Sequence, residues 1–568
     1  MYTLGIWDGH DSGTALIDDD KVIYAANEER FTKRKLEVKF PVNSINAALE
    51  YAKLNHSDVE EIAFTTTEIS KTVERMLPHF KEQYYLFRRR KIEKPRFENL
   101  MHKRKYLVTQ IGVLPFCNTI SKSIVARQLR RMGFSDFKLN IVEHHTAHAA
   151  TAAFTSGFPR ALVITMDGLG DGLCGSVSVL ENGRLERKIS IGARDSIGIF
   201  FEQVTNILGM RELEDEGKVM AMACYSYPFT FEENRLKDFF KVVGTTITAK
   251  YGPLTQYDKL RNLSWQLPRE QLAYMAQQLL ENVLTKYVSN VIDRFNVYDV
   301  VFAGGIFANV KANMVVRNLE QLKHWYVFPH MGDGGIALGS ALYTNYLKTG
   351  RTDFGFSAYL GNDYDQEQTE QVLRSDRSLS YQKENVTEQA SHAAELINDG
   401  NYAMWFQGRM EYGPRALGNR SILSSSDSEE VKEKLNIHVK KREWFQPFAP
   451  SILEEDIANV VEYDGKGVDR FMTMGYMVKE KMRERTRSVM HIDGSARPHM
   501  VGEENKPYAE MLKKVRKLTG YGMVLNTSFN LHGFPIVMTP EDAIAIMKTT
   551  KTKYMFVDGI FITNKAGV

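Results

Sequence analysis

The sequence predicts an α/β protein with two lobes, and three observations lead to that fold class. Short apolar segments that end in glycine or aspartate alternate with helical segments along most of the chain. A unit of strand, Asp-Gly turn and strand occurs twice, about 160 residues apart, which indicates an internal duplication. The length of 568 residues exceeds what one hydrophobic core usually supports. These features together favour two lobes, the first of which is duplicated.

The first copy of the repeated unit opens the chain. Residues 3–7 predict a strand that stops at the turn DGHDSG, and residues 14–17 and 21–25 predict two further strands. In the second copy, the predicted strand 162–166 stops at the turn DGLGDG. Such turns let backbone N–H groups approach a phosphate closely, whereas the alternative is an ordinary Asp-Gly hairpin. We predict that the two turns bind a nucleotide triphosphate through residues that include Gly9, Ser12 and Gly168.

Helices and strands alternate between the two copies. Residues 43–53 and 121–132 predict helices, and residues 61–65 and 138–142 predict strands. A basic run with aromatic residues, 88–105, interrupts this pattern. Such a run predicts either a solvated helix face or a surface for an anionic partner.

Three histidines begin an alanine-rich segment that predicts a helix. His144 and His148 are four residues apart and project from one face, which is how a helix presents two metal ligands. Asp167, at a predicted strand end, is a candidate to complete the site. Two alternatives stay open: His145 pairs with His148 at a spacing of three, or the histidines are hydrogen-bonded core residues.

Two glycine-rich turns follow the second copy. A segment that is predicted to be mostly helical, 232–295, leads to a strand at 299–303 and then to Gly304 and Gly305. A second strand at 326–328 runs into PHMGDGG, again with a helix behind it. Helix N-termini with bare glycines suit ribose and phosphate groups. The candidate nucleotide-binding residues here are Gly304, Gly305 and Asn309.

A second lobe is predicted after a linker at 348–363, with lobe boundaries of 1–350 and 364–568. Its first elements are a helix at 388–399 and a strand at 402–407. Cations then recur beside glycine, proline and strand ends, in GRMEYGPRALGNRSIL and KKREWFQPFAP. Because guanidinium groups bind phosphate or carboxylate bidentately, this pattern predicts a convergent anion pocket, with scattered surface ion pairs as the alternative.

Composition restricts the class of protein. Lys and Arg number 73 against 70 Asp and Glu, so the formal charge of +3 makes a general binder of nucleic acid improbable. Three widely spaced cysteines favour neither a disulfide framework nor a zinc ribbon. No N-terminal targeting segment and no apolar run long enough to span a bilayer is evident. We expect a cytoplasmic protein without a membrane partner.

Four segments carry a resemblance to a known family. EHHTAHAA, GRMEYGPRALGNRSIL, KKREWFQPFAP and NTSFN resemble the O-carbamoyltransferase family typified by NodU and CmcH, and the match runs nearly end to end. The resemblance implies an N-terminal lobe of the actin-like ATPase (ASKHA) class and a YrdC-like C-terminal lobe. It also implies that carbamoyl phosphate and ATP react in the second lobe to give carbamoyl adenylate, from which the first lobe transfers the carbamoyl group to a hydroxyl.

The resemblance assigns the binding of ATP and carbamoyl phosphate to the second lobe. Activation there needs cations to offset several phosphate charges. Amide, hydroxyl and imidazole side chains of the NTSFN segment and its neighbourhood accompany these cations. The implied residues are Arg415, Arg420, Lys440, Arg497, Asn526, Ser528, Asn530 and His532.

The resemblance also assigns a divalent metal to the first lobe. Mixed imidazole and carboxylate ligands favour iron, manganese or zinc over magnesium, and the family favours iron. His10 is implied as the general base for the acceptor hydroxyl, with Lys35 as an electrostatic helper. The implied metal ligands are His144, His148, Asp167 and Asp333.

Three departures from the family pattern concern the donor site. Gln446 stands where arginine is usual, His532 stands where some relatives carry arginine, and Phe534 replaces a frequent glutamate. Each hydrogen bond to a charged group contributes on the order of 1.5 to 3 kcal/mol, so these changes weaken the predicted pocket.

The expected function is ATP-dependent O-carbamoyl transfer to a hydroxyl of a sugar-like or secondary-metabolite acceptor. The alternatives are a carbamoyl- or acyl-adenylate transferase acting in tRNA modification and an Hsp70-like scaffold without enzymatic activity. The expected partners are carbamoyl phosphate and the small-molecule acceptor, with a second copy of the chain in a homodimer as a further option.

Overall fold

Two five-stranded sheets of the same topology form the framework of the first unit. In each sheet the first three strands are antiparallel and two parallel strands follow, which gives the order 3-2-1-4-5. The first sheet contains β1 (Thr3–Trp7), β2 (Gly13–Ile17), β3 (Val22–Asn27), β4 (Glu61–Thr65) and β5 (Lys138–Val142). The second contains β6 (Ala161–Gly170), β7 (Leu173–Glu181), β8 (Arg184–Gly192), β11 (Asp299–Ala303) and β12 (His324–Val327). The predicted duplication and the actin-like class are confirmed.

The structure, a computed structural model, describes residues 2–93 and 110–567. The chain divides into two units, and the first unit ends at Phe356. The segment Glu29–Lys35, which includes helix α1 (Glu29–Thr32), belongs to the second unit although it precedes most of the first in sequence. Its composition does not distinguish it from its neighbours, so the predicted lobe boundaries did not separate it.

Helices cover the sheets of the first unit. Along β1 every residue is buried, which is typical of a strand covered on both faces. The described helices are α2 (Val42–Ala52), α3 (Ile69–Met76), α4 (Pro78–Arg88), α5 (Pro115–Met132), α6 (His144–Thr155), α7 (Ile197–Ile207), α8 (Glu216–Ala223), α9 (Pro253–Ser264), α10 (Arg269–Phe295), α11 (Val310–Arg317) and α12 (Ile336–Thr349).

Two glycines bring the central helices into backbone contact. A Cβ at Gly5 in β1 would lie 1.9 Å from the carbonyl oxygen of Ala337 in α12, and a Cβ at Gly339 would lie 2.0 Å from that of Ala147 in α6. Any larger side chain would therefore displace α12. Because α6 begins at His144 and α12 follows Asp333 closely, this packing fixes the two segments that carry candidate metal ligands.

Two predicted elements of the first unit differ from the structure. The segment 232–295 was expected to be mostly helical, but it contains a hairpin of β9 (Phe240–Val243) and β10 (Thr246–Ala249) around Gly244. Its β-branched residues alternate between exposed and buried, which favours strands over helix. The strand expected to stop at Met166 continues to Gly170 with an irregular register.

The second unit contains an eight-stranded mixed sheet and a separate two-stranded sheet. The strand order of the eight-stranded sheet is β13-β22-β21-β14-β15-β20-β16-β19. The strands of this sheet are β13 (Leu379–Lys383), β14 (Ala403–Phe406), β15 (Arg420–Ser424), β16 (Ala449–Leu453), β19 (His499–Val501), β20 (Met523–Ser528), β21 (Tyr554–Val557) and β22 (Ile560–Asn564). The two-stranded sheet consists of β17 (Tyr476–Met477) and β18 (Ser495–Ala496).

Each face of the large sheet has its own hydrophobic core. Met404 and Phe406 of β14 belong to one core, whereas Ala403 and Trp405 belong to the other, as strand alternation requires. The helices are α13 (Gln366–Arg374), α14 (Val386–Asn398), α15 (Glu429–Leu435), α16 (Ile457–Val460), α17 (Lys506–Thr519) and α18 (Pro540–Thr550). Helix α18 begins with Thr539 as its cap and a proline in its first turn.

Among the residues that the structure describes, no helix combines the length and the apolar character that crossing a bilayer requires.

Candidate functional site

The histidine helix begins with its cap already satisfied. The side chain of Glu143 accepts hydrogen bonds from the backbone N–H groups of His145 and Thr146, and it forms an ion pair with Arg187. This cap fixes the start of α6, whose first five residues include the three histidines. All three imidazoles are almost completely buried.

Four side chains of the first unit converge at this helix. One ligand atom from each of His144, His148, Asp167 and Asp333 lies within 4.8 Å of all the others. Asp333 Oδ1 is 3.6 Å from the Nε2 atoms of both histidines, and Asp167 Oδ2 is 3.3 and 3.9 Å from them. The structure therefore brings together the four residues that the resemblance implied.

His145 has a separate environment. Its Nδ1 lies 2.9 Å from the hydroxyl of Thr165 in β6, and the four-residue cluster does not include it. The geometry thus favours the pair of His144 and His148 over the pair of His145 and His148.

Backbone irregularity and a close glycine position Asp167. The register of β6 against β7 shifts between Met166 and Gly170, so Asp167 leaves the regular ladder. The backbone N–H of Gly305 donates to Asp167 Oδ1 at 2.9 Å, and a Cβ at Gly305 would lie 2.8 Å from that oxygen. Gly305 therefore orients a candidate metal ligand, and its N–H is not free for the phosphate that the sequence predicted.

Burial and charge act against each other in this cluster. Burial alone lowers the pKa of His144, but the carboxylates of Asp333 and Asp167 outweigh it and raise that pKa to about 10. Burial and the charged ring of His144 lower the pKa of His148 to about 3. Burial and the neighbouring Asp167 raise the pKa of Asp333 to about 6. Burial opposes the charge of Asp167 too, but the histidines outweigh it and hold its pKa well below the ordinary value.

The four side chains fit a divalent metal ion. The buried Nε2 of His148 has no hydrogen-bond partner in the part of the chain that the structure describes. A buried polar atom without a partner costs about 1 to 3 kcal/mol, and two adjacent buried carboxylates repel each other. A cation bound by all four removes both costs, and a set of two imidazoles and two carboxylates suits first-row transition metals.

His10 lies at the edge of this cluster. Its Nδ1 is 3.6 Å from Asp333 Oδ2, its ring lies 5.6 Å from that of Tyr85, and its carbonyl accepts a hydrogen bond from the indole of Trp7 at 2.7 Å. Burial lowers the pKa of His10 to about 4, although Asp333 acts in the opposite direction. The imidazole is therefore neutral at pH 7 and can accept a proton.

The other glycine-turn residues have mixed environments. A Cβ at Gly9 would overlap the ring of Trp7, and the carbonyl of Gly168 accepts from the hydroxyl of Ser196 at 2.6 Å. The buried hydroxyl of Ser12 has no partner among the described residues. Nucleotide binding by these three residues stays a prediction.

Asn309 and Gly304 have structural roles. The Asn309 side chain caps α11 by accepting from the Ala312 N–H, and its amide exchanges two hydrogen bonds with Gln277. Gly304 adopts a φ of 102° and its N–H donates to the Met331 carbonyl. Both polar groups of the Asn309 side chain are thus engaged within the unit. Nucleotide binding by Asn309 and Gly304 stays a prediction.

Three arginines of the second unit approach one another. Burial lowers the pKa of Arg497 well below its ordinary value, and the charges of Arg415 and Arg442 lower it further. The carboxylate of Asp469 raises this pKa, but not enough to offset them. Burial likewise lowers the pKa values of Arg415 and Arg442 to about 10. The Nε atoms of all three arginines are buried without a hydrogen-bond partner among the described residues.

The nearby carboxylate does not neutralise this group. Asp469 accepts hydrogen bonds from three backbone N–H groups, those of Phe471, Thr473 and Met474. Its pKa is raised to about 6 by burial. The arginines thus keep an excess of positive charge, which is the arrangement expected of an anion site.

Lys440 adds a fourth cation to the second unit. Its ammonium group donates to the carbonyl of Ser528 at 2.5 Å and to Asn530 Oδ1 at 2.7 Å. These acceptors are neutral, and burial together with the charges of Arg442 and Lys35 lowers the pKa of Lys440 well below its ordinary value. Ser528 and Asn530 therefore position Lys440. Lys35 belongs to this unit, and its predicted assistance to His10 stays a prediction.

Arg420 supports the backbone of the second unit. Its guanidinium stacks 3.5 Å from the ring centre of Phe406 and donates to the carbonyls of Gln407, Gly408 and Asn419 at 2.9 to 3.0 Å. These hydrogen bonds hold the loop before β15. Its NH1 group serves three carbonyls, whereas its buried Nε has no hydrogen-bond partner among the described residues. Contact between Arg420 and a phosphate stays a prediction.

The remaining predicted residues of the second unit are spread more widely. The Asn526 amide donates to the Ala416 carbonyl and to the Ser451 hydroxyl, which supports the arginine-bearing loop. His532 and Phe534 are exposed, and Gln446 donates to Glu443 at 2.5 Å. The effect of these last three on donor binding stays a prediction.

Two residues of the pocket were missed as site residues from the sequence. Arg442 was visible within KKREWFQPFAP, and its stacking 3.7 Å from the ring centre of Phe448 explains the arginine and phenylalanine of that segment. Asp469 lies in an irregular loop without a recognisable pattern. Its signal is the set of backbone N–H donors, which the sequence does not reveal.

The described residues of the basic run 88–105 form ion pairs within the first unit. Arg88 contacts Glu202 and Glu212 at 2.5 and 2.7 Å, and Lys91 contacts Glu214 at 2.7 Å. Residues 94–105 of the run lie outside the described residues. The sequence left open a solvated face or an anionic partner, and the described residues instead join parts of the first unit.

Comparisons with known proteins identify the family of the chain. The family model "Carbamoyltransferase N-terminus" matches residues 3–342, and "Carbamoyltransferase C-terminus" matches residues 394–564. The chain is 32% identical to uncharacterized protein MJ1058 of Methanocaldococcus jannaschii, over 98% of each chain. It is 30% identical to nodulation protein NolO of Bradyrhizobium diazoefficiens, over 75% of this chain and 79% of that protein. The solved structure of T. kodakarensis HypF matches with a TM-score of 0.35 and 14% identity, over 61% of this chain and 48% of that chain. Because the two family models match residues 3–342 and 394–564, the chain belongs to the carbamoyltransferase family and is a carbamoyltransferase enzyme.

Proposed function

We propose that this enzyme is an ATP-dependent O-carbamoyltransferase that uses carbamoyl phosphate and modifies a hydroxyl of a sugar-like or secondary-metabolite acceptor. The observation that carries the proposal is the neutral imidazole of His10 beside four convergent metal-ligand side chains. Transfer of a carbamoyl group to a hydroxyl requires a base for the hydroxyl proton and positive charge near the carbamoyl oxygen. The first unit offers residues for both.

Donor activation is assigned to the cationic residues of the second unit. Water cleaves carbamoyl phosphate into carbamate and inorganic phosphate. A carbamate oxygen then attacks the α-phosphorus of ATP, which forms carbamoyl adenylate and releases pyrophosphate. All these species are anionic, so Arg415, Lys440, Arg442 and Arg497 offset their charge through hydrogen bonds that contribute on the order of 1.5 to 3 kcal/mol each.

Carbamoyl transfer is assigned to the first unit. The acceptor oxygen attacks the carbamoyl carbon, the bond between that carbon and the adenylate oxygen breaks, and AMP leaves with the electron pair. The Nδ1 of His10 faces Asp333, so its other ring nitrogen is assigned to accept the hydroxyl proton. The net reaction converts carbamoyl phosphate, ATP, water and an alcohol into a carbamate ester, AMP, pyrophosphate and phosphate.

The metal ion belongs to the same proposal. His144, His148, Asp167 and Asp333 would hold it, and when bound it supplies positive charge next to the reacting carbamoyl group. Two imidazoles and two carboxylates suit iron, manganese or zinc better than magnesium. We propose iron, on the strength of the family resemblance.

The alternative of tRNA modification has little support from the described residues. It rested on the basic run, and the described part of that run, Arg88 with Lys91, is paired with glutamates. A nucleotide-gated scaffold would leave the four cations of the second unit without a purpose. A small-molecule acceptor accounts better for both observations.

A pyrophosphate-release assay tests the proposal. Metal-loaded protein is incubated with ATP alone, with carbamoyl phosphate alone and with both. We expect pyrophosphate and phosphate in equal amounts only when both are present. Labelled carbamoyl phosphate, ATP and an extract of small molecules then identify the acceptor by the compound that acquires label. The absence of any pyrophosphate release by metal-loaded protein would overturn the proposal.

A further inference from the structure

Thr66, which follows β4, has an unusual backbone conformation. Its φ is 65°, in the left-handed region that β-branched residues rarely adopt. Such a conformation costs on the order of 1 to 3 kcal/mol and persists only where the surroundings enforce it. The guanidinium of Arg75 enforces it by donating to the carbonyls of Thr65 and Thr66 at 2.9 and 2.6 Å, while it also forms a bidentate pair with Asp8.

The strained backbone places the Thr66 hydroxyl on a candidate metal ligand. Thr66 Oγ1 lies 2.9 Å from His144 Nδ1, and both groups are buried. The opposite ring nitrogen, Nε2, faces Asp167 and Asp333. One hydrogen bond thus fixes the ring orientation of His144 and leaves Nε2 as the nitrogen that faces the cluster.

A buried carboxylate holds the backbone on both sides of this contact. Asp171 Oδ1 accepts from the N–H groups of Thr67 and Glu68 at 2.8 and 3.0 Å, and Asp171 Oδ2 accepts from the N–H of His144 at 2.9 Å. One side chain therefore joins the loop after β4 to the first residue of the histidine helix. Asp171 is itself in the left-handed region, with a φ of 52°, in the turn between β6 and β7.

We propose that Thr66 is a positioning residue of the metal centre, that its hydroxyl sets the ligating nitrogen of His144, and that Asp171 fixes the distance between the two. This inference deepens the proposed function and rests on the metal binding assigned there. The neighbouring threonine offers a contrast, because the Thr67 hydroxyl donates to Asn118 Oδ1 at 2.5 Å instead. Partners that orient a ligating histidine commonly contribute 10- to 100-fold to metal affinity.

Titration of metal-free, full-length protein with Co²⁺, followed by its visible absorption, tests the inference without any substrate. Thr66→Gly removes the hydroxyl but suits the left-handed backbone, so the variant is expected to fold. We expect its Co²⁺ affinity to fall about 10- to 100-fold. Thr66→Ser, which retains the hydroxyl, is expected to stay within about threefold of the wild type, and so is Thr67→Val as the matched control.

The outcomes separate this inference from the proposed function. Equal Co²⁺ affinity and an equal absorption spectrum in Thr66→Gly and the wild type would overturn the positioning role, while the metal centre would stand. A wild type that binds no Co²⁺ would overturn both. If the wild type releases no pyrophosphate but Co²⁺ affinity still falls in Thr66→Gly, the proposed function fails while the positioning role stands. Asp171→Asn gives a second measurement, since it weakens the bonds to the backbone without touching the ring of His144.

Discussion

The histidine-carboxylate cluster of the first unit brings buried carboxylates together, whereas the cationic pocket of the second unit brings buried cations together. In the first, burial and the adjacent carboxylate of Asp167 raise the pKa of Asp333 to about 6. In the second, burial and the adjacent cations lower the pKa of Arg497 well below its ordinary value. Buried charges of one sign are costly, and a ligand of the opposite sign removes the cost. The first unit therefore favours a positively charged ligand and the second unit a negatively charged one, and each arrangement is present without the ligand.

The two sites also differ in construction. The ligands of the first unit come from α6, from a strand irregularity and from the turn before α12, and short backbone hydrogen bonds hold them. The cations of the second unit come mostly from loops, and aromatic rings or carbonyls support them, as Phe448 supports Arg442 and Asn530 supports Lys440. Changes to the first site should therefore act on the metal alone, and changes to the second on anions alone.

The largest effect is expected for His148→Ala. The variant loses a ligand whose Nε2 has no protein partner among the described residues, so the fold should persist. We expect loss of bound metal and a fall in carbamoyl transfer of at least about 100-fold. Metal content after loading and far-ultraviolet circular dichroism measure both parts. His145→Gln, a change at the adjacent buried histidine outside the cluster, is the control. Full metal stoichiometry in His148→Ala would show that the cluster is structural.

The next largest effect is expected for Arg497→Met. Removal of one hydrogen-bonding cation should lower pyrophosphate release about 10- to 100-fold, while metal content stays unchanged. The unliganded variant should also melt at a higher temperature, since repulsion from Arg415 and Arg442 disappears. The exposed Arg374, which pairs with Glu370, supplies the control Arg374→Met. A lower melting temperature together with normal pyrophosphate release would contradict the assigned role.

A moderate effect is expected from anions on metal-free protein. Inorganic pyrophosphate should raise the melting temperature, because a ligand at 100 times its Kd stabilises the folded state by about 2.7 kcal/mol. The increase should be largely absent in Arg497→Met, and differential scanning fluorimetry measures it. An equal increase in both proteins would place the anion elsewhere.

The smallest effect concerns acid sensitivity of the second unit. His499 is buried, its Nδ1 lies 3.1 Å from the Ser451 hydroxyl, and burial lowers its pKa to about 3. The neutral ring contributes stability above the ordinary pKa near 6.5, and this contribution is lost as the pH falls from there toward 3. At pH 5.5 the loss is about 1.4 kcal/mol. Denaturant unfolding at pH 7 and 5.5 should show a smaller difference for His499→Asn, and an unchanged difference would contradict this account.

Sequence patterns located much of the first unit. The strands β1, β4, β5 and β11 match their predicted bounds, because each is an apolar run bounded by turn residues. The hairpin of β9 and β10 was missed because it lies between helical segments and its strands are short. Local pattern also located His144 and His148, whose spacing on a helix is visible in one dimension. Asp333 came only from the resemblance, since nothing local connects it with them.

The second unit was less predictable in its details. Basic residues in three segments indicated an anion pocket, but the sequence did not show which groups each arginine or lysine side chain contacts. Arg420 and Arg415 lie in the same sequence segment, yet the NH1 group of Arg420 donates to backbone carbonyls, whereas Arg415 lies beside Arg497. Asp469 and its backbone donors form a tertiary arrangement in an irregular loop, and no residue pattern encodes it.

The segment Glu29–Lys35 limits how this enzyme can be divided or recombined. Within the second unit, Arg30 donates to the Gly413 carbonyl at 2.9 Å and Lys33 pairs with Asp542 at the start of α18. A gene half that begins at Ser357 would encode a second unit without these contacts. Exchange of C-terminal halves between relatives would therefore also require exchange of the peptide Glu29–Lys35, because the second unit is encoded by two separate stretches of the gene.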